Sequence, residues 1–182
     1  MKIHCQTDRL LLREIGPNDL EDLYELDADP EVHRYLGNHP VTDIKQTEAI
    51  IQSLLDQCQK NGIARWACIL KDTGEFIGWS GLKYEIHVRP GMEYYDLGYR
   101  FKQPFWGKGY ATESALASRD YFFMKMEGEV LNAAAHVDNI GSNRVLQKTG
   151  MKSDGMFECD GSFHNWYTMD RSDWKNVRSK GK

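Results

Sequence analysis

Phe105-Trp106-Gly107-Lys108-Gly109-Tyr110-Ala111-Thr112-Glu113 joins an expected strand, Glu93 to Phe101, to an expected helix beginning near Tyr110. The amides of a helix's first turn have no helical partners, and Gly107 and Gly109 have no Cβ to hold an anion away. The helix N-terminus adds partial positive charge at the same place, which suits the loop to a pyrophosphate. Spacing then separates the phosphate-binding loops. A P-loop needs Ser or Thr after its Lys, but Gly109 follows Lys108. A dinucleotide fingerprint needs a third Gly or Ala where Thr112 stands. A glycine turn that only reverses the chain is the alternative to a phosphate site, so the surrounding sequence has to decide.

Working outward, Trp66 to Leu70 and Glu75 to Tyr84 read as an antiparallel pair about the turn Lys71-Asp72-Thr73-Gly74. Pro90-Gly91 marks a second reversal before Glu93 to Phe101, where the internal Gly98 signals a bulge or a close approach by another backbone or a ligand. On the other side of the loop, Ala111, Ala115, Phe122, Phe123 and Met126 lie on one face of a helix from Tyr110 to Met126. Val130 to Val137 follows as a strand, and strand, helix and strand imply a parallel pair. Asp138 to Ser142 turns into a short helix with Val145 and Leu146, and Phe157 with Phe163 to Met169 forms a last hairpin about Asp160-Gly161. At the front, Arg9 to Glu14 reads as a strand. Asn18 or Asp19 caps a helix with Leu20 and Leu23, Asp29-Pro30 opens a short one, and Thr42-Asp43 starts a third that ends at Asn61-Gly62.

No linker or repeat divides the 182 residues, which are expected to form one domain, 1–182, with 178–182 a flexible tail. Apolar residues at 41% and aromatic ones at 12% argue against disorder. A net charge of −4 argues against general nucleic-acid binding and leaves RNA contact only to a local patch. The N-terminus lacks an apolar leader core and no apolar run reaches membrane-spanning length, so a soluble cytoplasmic protein is expected. Cys5, Cys58, Cys68 and Cys159 show no paired spacing and the histidines no i, i+4 pair; neither disulfides nor a metal is expected.

Three stretches in order resemble the GNAT superfamily of acyl-CoA-dependent N-acyltransferases, and within it the RimJ/RimL type that acetylates ribosomal-protein N-termini. They are Thr7 to Arg13 with Asp29 to Val32, then Trp106 to Glu113, then Val137 to Asn143. The resemblance implies a mixed α/β (α+β) domain with a mostly antiparallel sheet and one splayed parallel strand pair that holds acyl-CoA. The family's pyrophosphate pattern, Q/R-x-x-G-x-G/A, falls on Trp106, Gly107, Lys108, Gly109, Tyr110 and Ala111, with Thr112 beside it. Trp106 stands where Gln or Arg is usual, which leaves the contact to main-chain amides. By the same resemblance the N–H of Phe101 faces the thioester carbonyl, and Asn139 and Ser142 touch the pantetheine arm. Both are also ordinary helix caps. Leu146 occupies the place where many relatives carry a tyrosine acid.

Acyl transfer to an amine requires a neutral amine, a stabilised oxyanion and a thiolate able to leave. At pH 7 an α-amine costs about 1.4 kcal/mol to neutralise and a Lys side chain about 4.6, so a weak base serves the first. Asp96 is the candidate base or water-orienting group, with Glu93 the other acid on that strand, and Ser142 is the candidate proton donor. A solvated or structurally paired carboxylate is the plain alternative for Asp96. Trp79, Tyr94, Tyr95, Trp166, Tyr167, His136 and His164 are read as core or structural and carry no assignment. The expected acceptor is a primary amine, foremost a protein N-terminus. The alternatives are a small-molecule amine such as an antibiotic, polyamine or amino acid, or a non-catalytic acyl-CoA-binding module.

Overall fold

The computed structural model describes residues 1–89 and 91–180. Pro90 of the expected Pro90-Gly91 reversal, and Gly181 and Lys182 of the expected tail, lie outside the described residues. Strands β1 (Ile3–Gln6), β2 (Leu10–Glu14), β3 (Arg65–Leu70), β4 (Phe76–Glu85), β5 (Tyr94–Phe101), β6 (Val130–His136), β7 (Lys152–Cys159) and β8 (Ser162–Asp170) form one sheet. Their order is β1-β2-β3-β4-β5-β6-β8-β7. Neighbours are antiparallel except β5 and β6, the pair joined through the glycine loop and a helix.

The helices are α1 (Leu20–Ala28), α2 (Pro30–His33), α3 (Ile44–Asn61), α4 (Tyr110–Lys125), α5 (Ile140–Lys148) and α6 (Arg171–Lys180). The starts of α2 and α3 follow the capping chemistry of the sequence, whereas Asp19, at the N-cap of α1, makes no capping bond to the helix and instead pairs with Arg13 and accepts from the Gly16 amide. Asp29 accepts from the Glu31 amide with Pro30 in the first turn, and Asp43 accepts from the Lys45 amide. Gly62, at φ 71°, closes α3 in a conformation that glycine adopts without steric cost.

Two apolar layers cover the sheet. On one face Trp66, Ile77, Leu82, Leu97 and Leu131 pack with Phe122 and Phe123 of α4 and Trp174 of α6. Burying each of the two phenylalanines contributes about 1.5–3 kcal/mol. On the other face Ala67, Ile69 and Phe76 pack with Leu23 and Leu26 of α1 and Ile51 of α3. Strand alternation turns Leu97, Tyr99 and Phe101 toward α4, and Asp96, Gly98 and Arg100 toward the α1 side.

Strand β1 and helix α6 have no counterpart in the sequence reading. Four residues at the sheet's edge give little periodicity. In α6, Trp174 and Val177 are the large apolar residues in a run of charge, and α6 extends through Arg178 to Lys180. Gly98 produces no bulge, because β4 and β5 stay in register throughout. The close approach there comes from a side chain. A Cβ on Gly98 would lie 2.7 Å from Nη2 of Arg65.

Candidate functional site

The β5–β6 pairing covers only Tyr95 with Leu131 and Asp96 with Asn132. Beyond those two positions the strands run on to Phe101 and His136 without pairing, which opens the sheet between them. At the Gly78–Phe101 position of the β4–β5 ladder, the Lys102 amide donates to the Ile77 carbonyl at 2.9 Å. This pair is therefore a non-hydrogen-bonded one, and the Phe101 N–H points away from β4 into the opening. Gly78 makes this possible. A Cβ there would sit 2.2 Å from the Arg100 carbonyl, so only glycine lets β5 approach so closely.

The glycine loop stands at the same end. Gly107 (φ 73°) and Gly109 (φ 85°) both adopt the left-handed region, and nothing lies within 4 Å of a Cβ placed on Gly107. Gly109 is the N-cap of α4 and supplies no capping side chain. The first helical bond runs from the Glu113 amide to the Gly109 carbonyl at 3.0 Å, so the amides of Tyr110, Ala111 and Thr112 precede the helical ladder. Lys108 is exposed, its ammonium 5.4 Å from the Phe105 ring centre. The Nε1–H of Trp106 donates to the Phe101 carbonyl at 2.7 Å, tying the loop back to β5.

A latch invisible to local reading braces this loop. Glu113 accepts from the Thr7 hydroxyl at 2.5 Å, from the Arg9 amide at 3.0 Å and from Arg9 Nε at 2.6 Å. Burial pushes the Glu113 carboxyl up, but those hydrogen bonds outweigh it and hold it below the usual carboxylate range. Arg9 also donates to the Lys108 carbonyl at 3.0 Å and covers the Tyr110 ring at 4.3 Å.

Across the opening, Asn139 accepts from the Ser142 amide at 3.0 Å and caps α5, so its oxygen is engaged and its amide NH₂ remains for a ligand. The neighbouring Asn143, assigned no role from sequence, is buried. It donates to the His136 and Asn139 carbonyls and accepts from Asn165 and Tyr167, fixing the start of α5 against β6 and β8. Leu146, in the place expected of a tyrosine acid, is core. The phenol that reaches Ser142 comes from β5. Tyr99 donates to the Ser142 carbonyl at 2.9 Å, and its oxygen lies 3.0 Å from Ser142 Oγ. Burial raises the Tyr99 pKa and the Ser142 contact offsets only part of that, so the phenol keeps its proton at neutral pH.

Asp96 faces the opposite side of the sheet. Arg65 crosses Gly98 to pair with Asp96 Oδ2 and donates to the carbonyls of Gly81 and Asp96 at 2.6 and 2.8 Å. Glu93 lies outside this group and accepts from the Tyr84 hydroxyl at 2.8 Å. Two buried carboxylates line the side that half-buried Asp96 faces: Asp27 pairs with Arg100 at 2.5 Å and Glu85 with Lys83 at 2.7 Å. Trp79 lies between the Arg65 and Arg100 guanidiniums, at 5.3 and 5.2 Å.

The parts fit an acyl-CoA. Unpartnered first-turn amides and two glycines that leave the backbone uncovered suit a pyrophosphate. An opening edged by the Phe101 N–H, Asn139 and Ser142 suits an amide-bearing arm.

The family model described as acetyltransferase (GNAT) domain matches residues 9–152. An uncharacterized N-acetyltransferase of Bacillus licheniformis, p20, is 30% identical over 150 residues, 82% of this chain and 83% of that protein. RimL, a ribosomal L7/L12 alpha-N-protein acetyltransferase solved with coenzyme A, superposes with a TM-score of 0.76 at 18% identity, over 93% of this chain and 98% of that one. Spermidine N-acetyltransferase from Vibrio cholerae, solved with CoA and spermine, superposes with a TM-score of 0.76 at 17% identity, over 93% and 100%. At these identities the two structures speak for the fold alone.

Proposed function

Because the chain belongs to the GNAT acetyltransferase family and is an acetyl-CoA-dependent acyltransferase, we propose that its acceptor is the α-amine of a protein N-terminus, as in the RimJ/RimL type. Acetyl-CoA supplies an acetyl group activated as a thioester. The observation that carries the choice of acceptor is the pairing of Asp96 with Arg65. A carboxylate already engaged by a guanidinium suits orienting a water and accepting a proton from an amine that is easily neutralised. An α-amine costs about 1.4 kcal/mol to deprotonate at pH 7 against about 4.6 for a Lys side chain or a similar alkylamine.

In this reading the amides of Tyr110, Ala111 and Thr112 hold the pyrophosphate, with Gly107 and Gly109 keeping the surface open. Trp106 and Lys108 shape the loop. The Phe101 N–H polarises the acyl oxygen, which favours the charge that develops there. Asn139 orients the arm. Ser142 with Tyr99 returns a proton to the departing sulfur on the α4 face, while Asp96, about 16 Å along β5 from Phe101, receives one from the amine through a relay of waters on the other face. Protons therefore enter and leave from opposite sides of the sheet. A cytoplasmic setting belongs to the same reading.

The test is thiol release from acetyl-CoA with N-terminal peptides, N-blocked Lys peptides, aminoglycosides and spermidine, followed by mass-spectrometric location of the acetyl group. Acetylation at peptide α-amines is expected. Exclusive acetylation of Lys side chains or small-molecule amines would reject the N-terminal acceptor and leave the acyltransferase assignment standing.

A further inference from the structure

On the Asp96 side of the opening, aromatic rings form an unbroken row through residues left unassigned by sequence. Tyr35, which follows α2, lies 5.4 Å from His136, and His136 lies 5.5 Å from His164. From His164 the row continues to Phe157 at 5.7 Å, to Trp166 at 5.6 Å and to Tyr94 at 4.7 Å. It starts at the mouth, since His136 is the last residue of β6 where the strands have parted. Register places His136, His164 and Phe157 side by side on one face. Small Ala134, the partner of Trp166 on β6, leaves room for the indole to reach Tyr94 on β5. Trp166 and Tyr94 are buried and form the floor, whereas Tyr35, His136, His164 and Phe157 are half-exposed.

Three carboxylates on this face already hold cationic partners: Asp27, Glu85 and Asp96. The guanidinium of Arg89 lies over Trp166 at 4.6 Å and Phe157 at 5.8 Å. A polyamine needs several carboxylates with no partner of their own, and a second cation here would face Arg89, Arg65 and Arg100. The rings of Phe157, Trp166 and Tyr94 instead favour a flat or bulky apolar group.

We propose that this row receives the acceptor's first side chain and that the substrate is a peptide or protein N-terminus beginning with an aromatic or large aliphatic residue. The inference rests on the α-amine reading of the acceptor and narrows it. The row's mouth takes the amine, and the first side chain lies along His136, His164 and Phe157.

The experiment measures kcat/KM with acetyl-CoA for peptides identical except for a first residue of Phe, Leu, Ser, Lys or Glu, and for spermidine. Phe and Leu peptides should exceed the Ser peptide by about tenfold or more, a gain expected from burying one such side chain against rings. In Phe157→Ala and in His164→Gln the Phe-to-Ser ratio should fall severalfold, with CoA titration showing that each variant is folded. Equal values across acetylated peptides, a maximum at Lys, or a uniform loss in both variants with the ratio preserved would overturn the inference alone. Acetylation of spermidine or Lys side chains with no peptide acetylated at its α-amine would overturn the acceptor reading and this inference with it.

Discussion

Replacing Gly109 by Asp tests the glycine loop most directly, because its cost to the fold and its cost to binding separate. Gly109 sits at φ 85°, where a side chain costs about 1–2 kcal/mol, with Asp near the low end. An acid at the N-terminus of the 16-residue α4 returns roughly 0.3–1 kcal/mol. A Cβ there also lies 3.4 Å from Nη2 of Arg9, within reach of an ion pair. The net change in stability should stay near 1 kcal/mol, or about 2–4 °C in Tm for a chain of this size. Binding should suffer more. A carboxylate about 4 Å from a pyrophosphate charge opposes it by ~1 kcal/mol in bulk water and ~4 kcal/mol near a protein surface, so CoA affinity should fall between roughly fivefold and a thousandfold. Calorimetry with CoA measures the loss. Gly109→Ala carries the backbone cost without the charge and should bind far better than Gly109→Asp. Gly62→Asp, also at a positive φ but at the C-terminal end of α3, should bind as the parent does. The deficit of Gly109→Asp should shrink between 0.1 and 1 M salt, as the screening length drops from about 10 to 3 Å. Parental affinity in Gly109→Asp at low salt would remove the loop from the binding site.

The remaining predictions concern proton handling and acid stability. Ser142→Ala, Tyr99→Phe and Asp96→Asn should each lower kcat by about 10²-fold or more while CoA affinity changes little. Because Ser142 and Tyr99 act through one contact, their double variant should lose little beyond the worse single one, and multiplicative losses would show that they act separately. Burial lowers the pKa of His4, of His33 (aided by Arg100) and of His164, so below the usual value of 6.5 the unfolded chain binds more protons. Stability should therefore fall as pH drops below 6.5. It should fall again below 4.5, where Glu85 and Glu113, both held below that value, take up protons and lose their partners. Denaturant titrations from pH 7.5 to 4 check this, and stability unchanged between 7.5 and 5.5 would contradict the histidine part.

Local chemistry was readable in the sequence where one residue type answers one backbone need. Gly107 and Gly109 take the conformations that the loop demands, and Asp29, Asp43 and Asn139 cap the helices that their spacing announces. Contacts between distant segments were not readable. Tyr99 meets Ser142 across 43 residues, and Glu113 meets Thr7 and Arg9 across more than 100, so no window along the chain contains both partners. The Thr7-to-Arg13 and Trp106-to-Glu113 stretches carried the family resemblance without disclosing that one latches the other. Gly98 was half legible. Its lack of a side chain marked a close approach, but the visitor, Arg65, comes from a strand two places away in the sheet.

The seam between β5 and β6 has the fewest paired positions in the sheet, and it lies in the middle of the strand order. The Phe101 edge and the unpaired length of β6 present peptide groups that a neighbouring strand would ordinarily satisfy. Pantetheine carries two amides, so in the proposed reading an arm laid in this gap would take the place of a ninth, removable strand. Occupancy is then coupled to the cohesion of the whole sheet: a ligand present at a hundred times its Kd adds about 2.7 kcal/mol to unfolding. On that reading the two halves, β1 to β5 and β6 to β8, share a joint whose strength follows the concentration of CoA around the protein.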